Sequence, residues 1–124
     1  MKRVIKTALF TVLFSAILCG TFLSVSAASR AISTNAVTTV GTVKMTCTAE
    51  HYSSGNTRWR HWWNAYAVSS GLMNVTSSST ALSITENLLR TKGTATAVNY
   101  SYVMGSASRI ARFNYNGNVS GYFE

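Results

Sequence analysis

From Thr42 the chain alternates. Val43, Met45, Cys47 and Ala49 are apolar, and Thr42, Lys44, Thr46, Thr48 and Glu50 between them are polar. Period two predicts a half-buried strand here. Ser53 to Asn56 is a turn cluster. Thr94 to Val103 reads as another strand, with Val98, Tyr100 and Tyr102 on one face and Ala95, Ala97 and Val103 on the other. Arg109 to Tyr115 and Asn118 to Phe123 flank Asn116-Gly117, a strong hairpin signal. A two-residue loop there sets Arg109 opposite Glu124 and Ile110 opposite Phe123. Thr80 to Lys92 allows a helix closed by Gly93, because Ala81, Ile84 and Leu88 share a helical face. It also allows a strand turning at Lys92-Gly93, and its Ser/Thr density with β-branched Ile84 and Thr85 favours the strand. Residues 28–41 are mostly small and polar and are expected to form a loose leader.

The segment TRWRHWWNAY, Thr57 to Tyr66, contains all three tryptophans. On a helix, Trp59, Trp62, Trp63 and Tyr66 form one aromatic stripe, the profile of a helix lying in a membrane interface. On a strand they divide. Trp59, His61, Trp63 and Ala65 point one way, and Arg60, Trp62, Asn64 and Tyr66 the other.

Pairing with the preceding strand decides between the two. An even-length loop would bring Arg58 and Arg60 to the apolar side of Cys47 and Ala49. An odd loop sets Trp63 opposite Cys47, Ala65 opposite Met45 and Ala67 opposite Val43. On the other face it sets Glu50 opposite Arg60, Thr48 opposite Trp62 and Lys44 opposite Tyr66. One register thus yields a dry face, an ion pair and a cation–π pair, and that agreement favours the strand.

No internal repeat or linker divides the chain. The expectation is all-β: a single small antiparallel β-sandwich or barrel-like meander of about six or seven strands, occupying residues 42–124. Residues 1–27 read as a secretory signal peptide. Lys2, Arg3 and Lys6 precede an apolar run from Ala8 to Val25, and Ser26-Ala27-Ala28 supplies small residues for cleavage after Ala27 or Ala28. The expected location is extracellular. Removing the leader leaves eight basic residues against Glu50, Glu86 and Glu124, a net charge of +5 instead of +8. It also leaves Cys47 without an intrachain disulfide partner.

Catalytic chemistry has little to stand on. The chain has no Asp and three Glu, and Glu50 and Glu86 fall in separate segments, so no glycosidase-type carboxylate pair is supported. Cys47 and His51 are about 13 Å apart on a strand, too far to share a metal, although the register brings His61 beside them. A non-catalytic chain without cofactor or metal is therefore expected. The outward residues Lys44, Arg60, Trp62 and Tyr66 are the candidate binding strip, since an outward Trp on a solvated sheet is costly unless it holds something. The alternative for Trp62 is coverage by a second layer or another subunit.

Arg58, Arg60, Arg90, Lys92, Arg109 and Arg112 show no obvious stripe in sequence, and export makes nucleic acid an improbable partner. The expected partners are cell-wall polymers, glycans or anionic membrane surfaces. The sequence leaves the oligomeric state open. Three functions fit: a binding or adhesion module, a cationic envelope-active protein, and a structural self-associating protein. The combination of leader, compact basic β-domain and aromatic-rich segment resembles small secreted bacteriocins of the lactococcin type. The resemblance is one of composition and transfers no site residue.

Overall fold

A computed structural model describes residues 28–52 and 59–124. The proposed signal peptide, residues 1–27, and the turn cluster Ser53 to Asn56 lie outside the described residues. Among the described residues seven strands follow one another: β1 (Ala28–Thr38), β2 (Gly41–His51), β3 (Trp59–Ala67), β4 (Leu72–Ile84), β5 (Leu88–Asn99), β6 (Met104–Tyr115) and β7 (Val119–Phe123). They make two antiparallel meanders, a three-stranded sheet ordered β1-β2-β3 and a four-stranded sheet ordered β4-β5-β6-β7. The fold is all-β, as expected.

The β2–β3 register is the one the odd loop demanded. Cys47 faces Trp63, Met45 faces Ala65, Val43 faces Ala67, Glu50 faces Arg60, Thr48 faces Trp62 and Lys44 faces Tyr66. Alternation along β2 is complete, with Val43, Met45, Cys47, Ala49 and His51 buried and the residues between them half-buried.

The core matches large residues to small ones. Trp59, Trp63, Phe113, Met45 and Leu89 pack among Ala36, Ala49, Ala95, Ala97 and Ala111. The Trp63 indole lies against Gly93 of β5, where an added Cβ would overlap its six-membered ring. The Trp63 Nε1–H donates to Thr91 Oγ1 at 3.1 Å, and that hydroxyl donates on to the Thr80 carbonyl at 3.3 Å. The Trp59 Nε1–H donates to the Thr85 carbonyl at 3.0 Å. His51, stacked on Tyr115 with ring centroids 3.7 Å apart, bonds the neighbouring Glu86 carbonyl at 2.8 Å. Three side chains of the first sheet therefore grip the β4–β5 hairpin of the second. Each satisfies a polar group that would otherwise be costly inside a core.

Four expectations need correction. Residues 28–38 form strand β1, paired along its whole length with β2, and not a loose leader. Its inward positions include Ala28, Ala36 and Thr38, small because they face close-packed backbone such as Gly105, which lies against Thr38 and Thr39. The strand Thr80 to Lys92 is really two. β4 ends at Ile84, and Lys92-Gly93 lies inside β5, because Gly93 is the seat of the Trp63 ring and not a turn. The strand expected from Thr94 to Val103 stops at Asn99, whose Oδ1 accepts the Ser101 and Val103 amides and caps a tight turn, leaving Tyr100 and Tyr102 in solvent.

The last correction is the β6–β7 register. Ala111 faces Phe123 and Tyr115 faces Val119, so the loop has three residues, Asn116 to Asn118, with Gly117 at φ +98°. Ile110 therefore faces Glu124, not Phe123, and Arg109 does not face Glu124. The reason is the core. The observed register sets Phe113 over Gly121, whereas a two-residue loop would set it against Ser120.

Candidate binding face

Parity along β2 and β3 builds the outer face of the first sheet. Val68 N–H donates to Thr42 O at 3.0 Å, so the even-numbered residues of β3 bond to β2, and burial of the odd-numbered Trp59 and Trp63 turns the even-numbered side chains outward. Arg60, Trp62, Asn64 and Tyr66 form the exposed row, and Lys44, Thr46, Thr48 and Glu50 the half-buried row beside it. Among the described residues no strand covers this face. Trp62 is 37% exposed and Tyr66 52%, while Trp59 and Trp63 are 2% and 6% exposed. The three tryptophans thus divide between core and surface as the strand reading expected.

All four candidate residues lie on this one face, in two groups. Lys44 Nζ stands 6.0 Å from the centre of the Tyr66 ring, the outer limit of a cation–π contact. Arg60 Nη1 donates to Tyr52 Oη at 3.1 Å, and Tyr52 donates to Glu50 Oε2 at 2.7 Å. The expected Glu50–Arg60 pair is therefore bridged by a tyrosine that sequence reasoning overlooked. Tyr52 and, behind it, Glu50 push the Arg60 guanidinium further toward its charged form. Glu50, reached through Tyr52, offsets part of the Arg60 charge. Between the two groups, Trp62 and Tyr66 are about 13 Å apart along the strand. Asn64, Thr46 and Thr48 present amide and hydroxyl groups across that span. The Thr46 hydroxyl is already hydrogen-bonded to Ser33 at 2.8 Å, which extends the polar strip onto β1.

Tyr66 also lines an open groove of about 240 Å³ at the crossover from β3 to β4, together with Ala65, Ala67, Leu72, Met73, Asn74 and Val75. The groove continues the aromatic strip around the edge of the sandwich.

The second sheet holds what the sequence hid. On its outer face Arg90 lies directly opposite Arg112, with Lys92 one outward position along β5. Like charges facing each other across a ladder are unfavourable. Glu124 offsets this pair with a two-pronged bridge to Arg90, 2.7 Å to Nε and 2.8 Å to Nη2. That contact holds the Glu124 carboxyl below the usual carboxylate range. A basic cluster of Arg90, Lys92 and Arg112 results, legible only once the β5–β6 register is known. Arg109, on the other parity, is not part of it.

The Cys47 and His51 side chains both point into the core. Burial pushes the Cys47 thiol up to about 12, and His51 is occupied by Glu86 and Tyr115. His61 is half-buried beside Ala49, and desolvation lowers its pKa. Among the described residues no group of three His, Cys, Asp or Glu side chains is placed to hold a metal. No family model, curated protein or solved structure matches the chain.

Proposed function

We propose that this protein is an exported, non-catalytic binding module that holds an extracellular or envelope glycan on the outer face of β2 and β3. One observation carries the reading. Two exposed aromatic side chains, Trp62 and Tyr66, stand on one face of a paired strand with Asn64, Thr46 and Thr48 between them. Aromatic rings offer flat apolar platforms to the C–H faces of sugars, and intervening amides and hydroxyls exchange hydrogen bonds with sugar hydroxyls. Mounting them on a ladder instead of a loop lowers the cost of ordering them. Glu50, reached through Tyr52, offsets part of the Arg60 charge, and a neutral or weakly charged glycan suits this strip better than a dense polyanion.

The basic cluster on the other sheet favours a second reading, capture of an acidic wall polymer or anionic surface through Arg90, Lys92 and Arg112. An envelope-active role rests on the basic β-domain and aromatic-rich segment, and a helical aromatic stripe would have added to it. With β3 a strand and Trp59 and Trp63 buried, that one addition is lost.

Co-sedimentation with purified cell-wall material separates the readings. On the glycan reading, Trp62→Ala and Tyr66→Ala each lower binding about tenfold, and Lys92→Ala with Arg112→Ala changes it little. Binding unaffected by Trp62→Ala, but abolished by the Lys92/Arg112 pair or by moderate salt, assigns the polyanion surface instead.

A further inference from the structure

Of the four terminal strands, β4 is the longest and carries the longest run of exposed side chains. β3 and β4 touch at one corner of the sandwich, where Ser77 Oγ of β4 donates to the Trp63 carbonyl at 3.1 Å. β7 has only five residues, and β1 packs close to it at the opposite corner of the sandwich. β4 has thirteen residues, and every side chain from Thr76 to Leu82 is exposed. From Leu72 to Thr85 there is no charged residue and no proline, the usual devices that keep an edge from pairing. Bulges at Leu72/Asn74 and Ala81/Ser83 bracket this stretch, and the ladder between them is regular.

The exposed stretch reads nearly the same in both directions. Around Ser78 the sequence runs Val75-Thr76-Ser77-Ser78-Ser79-Thr80-Ala81. An antiparallel copy centred on Ser78 pairs Thr76 with Thr80, Ser77 with Ser79, and Val75 with Ala81. Hydroxyl then meets hydroxyl and small apolar meets small apolar at every step. The backbone has the matching parity. The Thr80 carbonyl points toward β5, where it accepts the Thr91 hydroxyl. The even-numbered positions therefore bond inward, and Val75, Ser77, Ser79 and Ala81 turn their N–H and C=O groups to the free edge. In the centred register those are the residues that exchange hydrogen bonds.

We propose that β4 pairs with β4 of a second copy of this chain about a two-fold axis through Ser78, joining the two four-stranded sheets into one of eight strands. The contact is isologous and closes at two copies, because each molecule has one such edge. The ladder is short, about 20 Å from Val75 to Ala81. Association is accordingly weak and concentration-dependent. The axis is normal to the sheet, so both three-stranded sheets lie on the same side of the dimer. If the glycan reading holds, two Trp62 strips then face one polymer, and the second contact gains from effective concentration. The pairing itself does not depend on that reading.

Ser78 tests it. In the centred register it meets its own copy as a non-hydrogen-bonded pair, with Cα atoms about 4.5 Å apart, within disulfide reach. Mature Ser78→Cys protein, oxidised mildly at high concentration, is expected to give mostly disulfide dimer, whereas exposed Ser120→Cys on β7 gives at least fivefold less. In sedimentation equilibrium the wild type is expected to show a concentration-dependent dimer, and Ser78→Lys, which places two like charges face to face, to remain monomeric. Tryptophan emission and circular dichroism confirm that each variant is folded. Equal cross-linking of the two cysteine variants, a wild type that stays monomeric at the highest concentrations, or a Ser78→Lys dimer overturns the proposal. These outcomes are read without glycan, so they are independent of the binding assignment.

Discussion

Gly93 has no side chain because the Trp63 indole occupies its place. Gly93→Ala would press a methyl group into that ring, and overpacking of this kind costs about 1–3 kcal/mol. Denaturant unfolding should show that loss with an unchanged slope, and a midpoint equal to the wild type would mean that Trp63 is not seated as described. His61 makes a prediction in pH. Burial lowers its pKa from the ordinary 6.5, so the unfolded chain binds its proton more readily than the folded one. Its contribution is complete above the ordinary value and is lost as pH falls through the lowered folded pKa. Melting temperature should fall as pH drops below the ordinary imidazole value, and His61→Gln should flatten that slope. Glu124, held low by Arg90, acts in the same direction but in the more acidic carboxylate range. The division of Trp59 and Trp63 from Trp62 was legible in the sequence because period two assigns it once a strand is chosen. The role of Tyr52 was not, because a residue at a strand end has no parity signal.

At the scale of elements, the two hairpins teach opposite lessons. For β2–β3 the dry face was made to choose the loop length, and all six expected pairings are observed. For β6–β7 the Asn-Gly motif was allowed to choose it, and the register came out one residue wrong. A buried face outweighs turn preference, because a slip of one residue moves every side chain to the wrong side. The strands β1 and β4 were missed or blurred for a shared reason. Their inward residues are largely Ala, Ser and Thr, whose hydropathy differs too little from the outward ones to show a period. Small inward residues are what a sandwich built on Trp59, Trp63 and Phe113 needs opposite its large rings. The basic cluster was hidden behind the same problem, since Arg90 and Arg112 meet only through the β5–β6 ladder.

The whole molecule is two meanders with different outer surfaces, one aromatic and polar, the other basic and rich in hydroxyls. That separation is what allows the glycan and polyanion readings to be tested apart. Dimerisation through β4 would turn both aromatic strips to one side. The most direct test of the central claim uses the tryptophans themselves, because Trp62 is the exposed one of the three. Acrylamide quenching of the mature protein should reveal a minor accessible fraction of emission, absent in Trp62→Ala. Saturating cell-wall glycan should protect that fraction in the wild type and leave the Trp62→Ala spectrum unchanged. Full accessibility of Trp62 in the presence of glycan that is demonstrably bound would contradict the assignment of this face.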